Sequence, residues 1–511
     1  MLTPAPSYDA LVAGFRWDIP ARLNMAVQVC EARAKADPDR LAILDLSRGR
    51  EEITFGDLAL MARQVQAALE ERGVRPGDRV GVLLSQSALC AAAHIACWRM
   101  AAISVPLFKL FREDALRSRL GDSGARVVVT DDEGVAMLTP FDVVAVTEAD
   151  LGVATGLAPA ETGPETPAVL IYTSGTTGTP KGALHGHRVL TGHLPGVEVS
   201  HDFLGRDGDV IWTPADWAWI GGLFDVLMPG LALGVPVVAC RMPRFDVATC
   251  LNVIREGAVR NVFFPPTALR MLKAEGVRID GLRSVASGGE PLGAEMLAWG
   301  REAFGVAINE FYGQTECNMV ASSCGALFPA KPGCIGKAVP GFDVTVLDAD
   351  ETGEGDIAIR QGAASMMLGY WNRPQETAAK FRGDWLVMGD RGRLEDGYIR
   401  FVGRDDDVIT SAGYRIGPAE IEDCLLTHPA VATVGVVGKP DSLRTEIVKA
   451  YVVLKPGAEV TAEALQEHVK SRLASYSYPR EIAFVDALPM TVTGKVIRKE
   501  LKARAAAEAK P

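Results

Sequence analysis

The segment YTSGTTGTPKG, residues 172–182, follows the apolar run AVLI at 168–171. Its three glycines and five Ser or Thr hydroxyls let the chain approach a polyphosphate closely, and Lys181 supplies positive charge for the outer phosphates. An ordinary surface turn is the alternative. A Walker A loop is disfavoured, because Pro180 precedes Lys181 and Gly182 follows it. We predict a nucleotide-phosphate loop formed by Thr173, Ser174, Gly175, Thr176, Thr177, Gly178 and Lys181.

Runs rich in Val, Ile and Phe surround this loop and alternate with helical patterns. Between Phe55 and Leu69 the apolar residues recur at spacings of three and four, and Thr54 and Asp57 have the spacing of a capping box. Alternating strands and helices predict an α/β fold. The predicted strands are RVGVLL (79–84), ARVVVT (125–130), VPVVAC (235–240), NVFF (261–264) and RSVASGG (283–289).

From Asp343 onward, short strand patterns follow one another quickly: DVTVLD, GDIAIR, WLVMGD and YIRFVG. They predict a β-rich subdomain that completes a large N-terminal domain of layered α/β subdomains, residues 1–403. The charge cluster RDDD at 404–407 opens a compact β/α pattern. We therefore predict a small α+β domain over residues 404–511, with a tail, KARAAAEAKP, that is expected to fray.

Composition narrows the class of protein. The 511 residues carry 53 Lys and Arg against 64 Asp and Glu, a net charge of −11, which repels a phosphate backbone, so nucleic-acid binding is not expected. The nine cysteines lack C-x-x-C spacing, which disfavours a zinc site or a disulfide framework. The N-terminus is not signal-like and the sequence has no long unbroken apolar run, so we predict a cytoplasmic protein with no membrane span. The oligomeric state, monomer or homodimer, stays open.

Further motifs follow the phosphate loop in a fixed order: GGEPL (288–292), EFYGQTE (310–316), MGD (388–390), GRDDDVITSAGYRIGPAEIE (403–422) and TGKVIRKEL (493–501). Together with TSGTTGTPKG, they resemble the AMP-forming adenylate superfamily of acyl-CoA synthetases, peptide-synthetase adenylation domains and luciferases. The resemblance covers the chain from about Glu52 to Leu501. It is closest to the medium-chain acyl-CoA synthetase branch, and it implies ATP and CoA as substrates, with Mg²⁺.

Adenylation joins a carboxylate to the α-phosphate of ATP and expels pyrophosphate, so cations and hydroxyls are needed beside the phosphates. Tyr312 offers a ring for adenine, Thr315 a hydroxyl for a phosphate, and Glu316 a carboxylate for Mg²⁺. The resemblance implies the same roles. Taken singly, each motif is equally a strand end or a turn. The predicted nucleotide site also includes Gly289, Glu290, Pro291, Gly313, Gln314, Asp390 and Arg404.

The C-terminal motifs carry the predicted catalytic and moving parts. Asp390 can accept both ribose hydroxyls, and the resemblance implies that Arg404 touches the ribose or a phosphate and that Asp406 is the hinge. Lys495, in the TGK sequence, can bring an ammonium group to the α-phosphate, although an ordinary exposed lysine is the alternative. The predicted catalytic residues are Lys495, Lys181 and Thr315.

The resemblance also implies two half-reactions, between which the C-terminal domain rotates. In the second, the SAGYR segment would line a tunnel for the pantetheine arm of CoA. Gly413 would allow that arm to pass close to the backbone, and Arg415 would meet a phosphate. The predicted CoA site consists of Gly413, Tyr414 and Arg415.

Three tryptophans in the segment DVIWTPADWAWIGG favour either an apolar slot or a core, and the resemblance implies the acyl pocket here. In the acetate-specific branch of the family, a Trp takes the position of Gly313 and caps the pocket. Gly313 therefore predicts a deeper pocket, in which each further buried methylene contributes ~0.8 kcal/mol. The predicted acyl pocket consists of Trp217, Trp219, Gly221, Gly313 and Cys317, and Asn318 and Met319 are expected near its floor.

We therefore predict an ATP-dependent, AMP-forming acid–thiol ligase: an acyl-CoA synthetase for a short- to medium-chain or related apolar carboxylate. Aryl, branched and thioether acids stay open. A first rival is an adenylation enzyme that loads a carrier protein in trans. A second rival, a non-catalytic ATP-binding protein, is disfavoured by Lys181, Glu316, Asp390 and Lys495 together.

Overall fold

The computed structural model describes residues 2–173, 180–404, 407–411, 414–441, 444–473, 478–491 and 495–508. Within these ranges the strands form a 14-stranded, a seven-stranded and a five-stranded sheet. No helix in the described ranges is long and apolar enough to cross a bilayer.

The strands are given in chain order: β1 (Leu41–Asp45), β2 (Glu51–Thr54), β3 (Arg79–Leu83), β4 (Ile103–Pro106), β5 (Val127–Thr130), β6 (Val144–Val146), β7 (Pro167–Thr173), β8 (Lys181–Gly186), β9 (Ile211–Trp212), β10 (Val237–Ala239), β11 (Asn261–Phe263), β12 (Ser284–Gly288), β13 (Ile308–Gln314), β14 (Cys317–Ser322), β15 (Cys334–Ala338), β16 (Val344–Leu347), β17 (Gly355–Arg360), β18 (Gly369–Tyr370), β19 (Phe381–Arg382), β20 (Trp385–Glu395), β21 (Tyr398–Arg404), β22 (Ile409–Ser411), β23 (Tyr414–Ile416), β24 (Val431–Asp441), β25 (Thr445–Leu454) and β26 (Glu481–Phe484).

The α-helices are α1 (Tyr8–Gly14), α2 (Ala32–Ala36), α3 (Phe55–Glu71), α4 (Ala88–Arg99), α5 (Glu113–Ser123), α6 (Asp132–Leu138), α7 (Val189–Ser200), α8 (Ile220–Gly222), α9 (Met228–Leu233), α10 (Val247–Glu256), α11 (Pro266–Ala274), α12 (Gly293–Phe304), α13 (Pro374–Ala379), α14 (Pro418–Leu426), α15 (Ala462–Lys470) and α16 (Arg498–Glu508). π-helical turns span Val27–Glu31 and Leu223–Leu227, and a 3-10 turn spans Glu148–Asp150.

Local sequence signals produced the predicted elements. The five predicted strands are confirmed as β3, β5, β10, β11 and β12. Helix α3 begins at the predicted capping box: the Thr54 hydroxyl accepts from the Asp57 N–H at 3.1 Å, and the Asp57 carboxylate accepts from the Thr54 N–H at 3.0 Å. The α/β fold class is therefore confirmed.

The seven-stranded sheet has the order β18-β8-β7-β4-β3-β5-β6. The large sheet runs β16-β17-β20-β21-β15-β14-β13-β12-β11-β9-β10-β1-β2, and its fourteenth strand, β19, pairs with β20. Helix α4 is buried along nearly all its length, because its alanines leave no bulk to separate it from its neighbours. The Trp98 indole N–H from this helix donates to the Ala168 carbonyl of β7 at 2.9 Å. This bond anchors β7, the strand that leads into the predicted phosphate loop.

The β-rich segment after Asp343 forms the predicted strands, but they do not make a sheet of their own. Strands β16, β17, β20 and β21 continue the large sheet, since β21 pairs antiparallel with β15 through Cys334 and Arg400. The predicted β-rich subdomain is therefore present as an extension of the large sheet. Side chains on β20 reach the nucleotide motif on β13 across this antiparallel half of the sheet.

The C-terminal strands form the separate five-stranded sheet, β23-β22-β25-β24 with β26 beside β25, covered by α14 and α15. We keep the boundary after residue 403 as a proposal, since Arg404 ends β21 and Ile409 begins β22 in the other sheet. The expected fraying of the tail is wrong as far as Glu508. Helix α16 continues to that residue, and Ala505 is fully buried against the sheet.

Candidate active site

A cleft of about 4000 Å³ opens between the large sheet and the C-terminal domain. It is larger than a pocket for a single small ligand, so it has room for more than one substrate. Among the predicted site residues it is lined by Thr173, Lys181, Gly289, Glu290, Pro291, Tyr312, Gly313, Gln314, Thr315, Glu316, Asp390, Arg404 and Lys495.

The phosphate segment connects β7 to β8, whose ends Thr173 and Lys181 are antiparallel partners. This pairing fixes both ends of the loop at the cleft. Tyr414 and Arg415, predicted to contact CoA, belong to β23, whose backbone pairs antiparallel with β22. Several predicted residues lie outside the described ranges: Ser174, Gly175, Thr176, Thr177, Gly178, Asp406 and Gly413.

Lys181 lies among groups that its own motif does not contain. Its Nζ is 2.7 Å from Glu376 Oε2 and 5.4 Å from the centre of the Tyr370 ring. The hydrogen bond from Lys181 lowers the pKa of the Glu376 carboxyl. On the other side, the Tyr370 hydroxyl donates to the Glu316 carboxylate. Lys181 and Glu316 therefore flank Tyr370.

Tyr370 and Glu376 come from the segment YWNRPQE (370–376), which carries no recognisable phosphate-binding pattern. Sequence reasoning missed both. Only their contacts with Lys181 and Glu316 mark them as functional candidates.

Asp390 on β20 is buried and collects donors from β13. Its Oδ2 accepts from the Tyr312 hydroxyl and from Gln314 Nε2, the latter at 2.7 Å, and Arg404 Nε lies 3.7 Å from Oδ1. Burial raises the pKa of the Asp390 carboxyl, while Tyr312, Arg404 and Gln314 oppose that rise. A carboxylate with this much support suits a role in accepting hydroxyl donors.

Lys495 crosses from the C-terminal domain to the GGEP turn. Gly289 has a φ of +102°, which favours glycine, and a Cβ built on it would lie 3.4 Å from Lys495 Nζ. The neighbouring Glu290 accepts from Arg270 Nη2 at 2.8 Å. The Lys495 side chain is exposed to the cleft, yet protein atoms surround it on several sides. This burial lowers the pKa of its ammonium group, and the negative charge of Glu290 opposes that shift.

The helix that follows Lys495 is paired with Asp407 and Glu422. Lys502 Nζ lies 2.9 Å from Asp407 Oδ1, and Arg498 donates to the Glu422 carboxylate. Asp407, the last acid of the RDDD cluster, is therefore paired rather than solvated. Sequence reasoning missed Arg498 and Lys502, which look like part of a basic tail.

The predicted acyl pocket is only partly at the cleft. Trp219 and Gly221 line it, and the Trp219 ring centroid lies 5.4 Å from that of Phe108. Trp217 is instead fully buried in the core of the α/β layers, and Cys317 is buried with its Sγ 3.6 Å from Ser365 Oγ. Neither residue lines the cleft, because the backbone turns each side chain inward, so their placement in the acyl pocket is corrected.

Gly313 lines the cleft, but the space beside it is filled. A Cβ at this position would lie 2.3 Å from the Met319 backbone nitrogen and 2.7 Å from Asn318 Oδ1. In this chain, a side chain at 313 therefore forces β13 and β14 apart, and a Trp there cannot act as a simple cap. Asn318, which we expected near the pocket floor, and Asp225, which sequence reasoning missed, both line the cleft.

Comparisons with known proteins agree with this geometry. The family model described as AMP-binding enzyme matches residues 30–371, and the model described as AMP-binding enzyme C-terminal domain matches residues 420–495. The chain belongs to the AMP-binding enzyme family.

Similar proteins cover nearly the whole chain. The mitochondrial acyl-coenzyme A synthetase ACSM2 of Rattus norvegicus is 34% identical, covering 95% of this chain and 92% of its own. The acetyl-coenzyme A synthetase of Bacillus subtilis (strain 168) is 32% identical, covering 94% of this chain and 90% of its own. The solved acyl-CoA synthetase of Brucella canis is 33% identical, with a TM-score of 0.75, covering 99% of this chain and 100% of its own. The chain is an AMP-forming acyl-CoA synthetase, an acid–thiol ligase.

Proposed function

We propose that this enzyme activates a short- to medium-chain monocarboxylate with an apolar body, using ATP and Mg²⁺, and transfers the acyl group to CoA. The single observation that carries the proposal is the approach of Lys495 to Gly289 in the cleft that the buried Asp390 also lines. This approach supports a cleft in which the Lys495 cation lies where the α-phosphate of ATP would meet the substrate carboxylate.

In the first step, a carboxylate oxygen of the substrate attacks the α-phosphorus of ATP. The bond from that phosphorus to the bridging oxygen breaks, and pyrophosphate leaves. Lys495 neutralises charge developing at the α-phosphate, Lys181 binds the outer phosphates after leaving Glu376, and Asp390 accepts the ribose hydroxyls. Thr315 supplies a hydroxyl to a phosphate oxygen.

Mg²⁺ fits the donor set, because Glu316 presents carboxylate oxygens at the cleft beside Lys181. No described group of three His, Cys, Asp or Glu side chains could hold a metal on its own. Glu316 would therefore hold the ion together with phosphate oxygens and water, and the ion would supply neutralising charge.

In the second step, the CoA thiolate attacks the acyl carbon, the bond to the phosphate oxygen breaks, and AMP leaves. The C-terminal domain would rotate between the steps, turning Gly413, Tyr414 and Arg415 toward the pantetheine arm. Asp406 is proposed as the hinge of that rotation.

The test is product analysis with a C2 to C10 acid panel, with and without CoA. We expect AMP, pyrophosphate and a thioester. ADP and phosphate would overturn the mechanism, and acyl-AMP that never yields a thioester with CoA would favour carrier-protein loading.

A further inference from the structure

Asp225 is an acid in an apolar setting. It lies in the π-helical turn Leu223–Leu227, whose other four side chains are fully buried and apolar. Its side chain is 2% exposed, yet it contributes to the lining of the cleft. Burial raises the pKa of its carboxyl. A buried carboxyl is costly in free energy unless its oxygens accept hydrogen bonds.

Two side chains donate to Asp225. The Asn318 amide donates to Oδ1 at 2.8 Å and to Oδ2 at 2.9 Å. His193 Nδ1 lies 3.2 Å from Oδ1 and also 3.2 Å from the Phe224 carbonyl, so this nitrogen faces two acceptors and must carry the proton. Oδ1 thus meets two donors, whereas Oδ2 meets only Asn318 among the described residues. A carboxylate oxygen accepts two bonds, so Oδ2 keeps one acceptor position.

Oδ2 is the Asp225 oxygen that lies beside Gly221, at the cleft. A Cβ built on Gly221 would lie 3.6 Å from Asp225 Oδ2 and 3.1 Å from the Phe263 ring. Since Gly221 has no side chain, nothing on this residue covers Oδ2, and Gly221 itself lines the cleft.

An apolar wall leads from the reacting centre to this oxygen. A Cβ on Gly288, next to Gly289, would lie 2.5 Å from the Phe311 ring, and the Phe311 and Phe263 ring centroids are 5.1 Å apart. Phe263 in turn adjoins Gly221. The wall therefore starts at the turn that faces Lys495 and ends at Asp225.

We infer that Asp225 and Asn318 form the far end of the acyl pocket and select carboxylic acids that carry a hydrogen-bond donor, a hydroxyl or an amino group, at the end of an apolar body. This inference rests on the proposed function. A methyl end would cover Oδ2 without giving it a donor, whereas a hydroxyl or amino hydrogen completes its bonding. Sites built to bond such a group discriminate strongly against analogues that lack it.

The experiment compares matched acids in which one terminal methyl is exchanged for a hydroxyl or an amino group. The sets are butyrate, 3-hydroxypropionate and β-alanine; valerate, 4-hydroxybutyrate and 4-aminobutyrate; hexanoate, 5-hydroxypentanoate and 5-aminopentanoate; and the 3-methyl, 3-hydroxy and 3-amino benzoates. We expect wild-type kcat/KM to favour a donor-bearing member by at least about tenfold in one or more sets. The hydroxyl and amino arms distinguish a neutral from a charged donor.

Asp225→Leu should abolish or reverse that preference, and Asp225→Asn should weaken it. The control is Asp209→Asn, which alters a buried carboxyl that pairs with Arg283 away from the cleft and should lower stability without changing the ratio. If methyl members equal or exceed the others in every set with wild type, the inference is overturned even if Asp225→Leu does not fold. Absence of thioester from every acid would instead overturn the proposed function.

Discussion

Lys495 Nζ lies 3.4 Å from the position that a Cβ on Gly289 would occupy, so the two domains meet at the GGEP turn. In this arrangement the Lys495 ammonium group lies at the cleft. It is the arrangement in which Lys495 would act in the proposed adenylation step.

Lys495→Ala should therefore slow adenylation by two to three decades, because losing one such charge contact costs about 3–4 kcal/mol in the transition state. Thioester formation from preformed acyl-AMP and CoA should stay near the wild-type rate. Single-turnover measurements of each half-reaction check this, with Lys470→Ala, an exposed lysine on α15, as the control. Equal losses in both half-reactions would contradict a role confined to adenylation.

Glu376→Gln should tighten ATP binding. Glu376 pairs with Lys181, and in the proposed mechanism the phosphates of ATP displace it from that lysine. The pair is partly exposed, so the gain is limited to about 1 kcal/mol, or roughly fivefold in KM for ATP. The matched control is Glu481→Gln, which removes a Lys–Glu pair with the same 2.7 Å separation from Lys439. An unchanged or raised KM in Glu376→Gln, measured under identical salt, would refute the competition.

Glu310 should make stability depend on pH. Burial raises its pKa to about 8, and among the described residues only the Leu292 N–H, at 3.2 Å, donates to its carboxyl. Between its unfolded value of about 4.3 and about 8, the unfolded chain releases a proton that the folded protein keeps. The free energy of unfolding therefore falls as pH rises through this window, by at most about 1.4 kcal/mol per unit.

Denaturant unfolding at pH 5.5 and pH 7.5 checks this, using wild type and Glu310→Gln. The variant should lack this part of the decline with pH. Parallel pH profiles for the two proteins would show that Glu310 ionises normally in the fold.

Gly313→Ala should destabilise the protein by about 1–3 kcal/mol, because its Cβ would press on the Met319 backbone. Activity should fall for acids of every length rather than shift toward acetate. Gly121→Ala on α5 is the control: nothing lies within 4 Å of its Cβ, so we expect a gain of about 0.5–1 kcal/mol. Thermal unfolding reports the stabilities, and a chain-length profile that shortens selectively in Gly313→Ala would support a cap instead.

The sequence predictions that were confirmed rest on patterns within one continuous stretch of sequence. The capping box at Thr54 and the valine-rich strands depend on neighbours in sequence, so local spacing revealed them. Tyr312 and Asp390 were found because each lies in a contiguous motif that resembles the family.

Pairings between distant segments could not be read in this way. Asp225 sits in an apolar run and meets Asn318, 93 residues later, through the fold alone. Trp217 and Trp219 are two residues apart with the same apolar character, and only the path of the backbone decides that one ring enters the core and the other faces the cleft. The crowding beside Gly313 could not be predicted either, because it depends on the register of β13 against β14.

The continuity of the large sheet through β14, β15, β21 and β20 bears on how this enzyme can be recombined with its relatives. A crossover placed before Asp343 would take β16, β17, β20 and β21 from one parent and the strands they join from another. Asp390 and Tyr312 would then come from different parents. A crossover between Arg404 and Ile409 would leave the whole sheet with one parent. The hydrogen bond between Tyr312 and Asp390 is thus preserved when β13 through β21 come from a single parent.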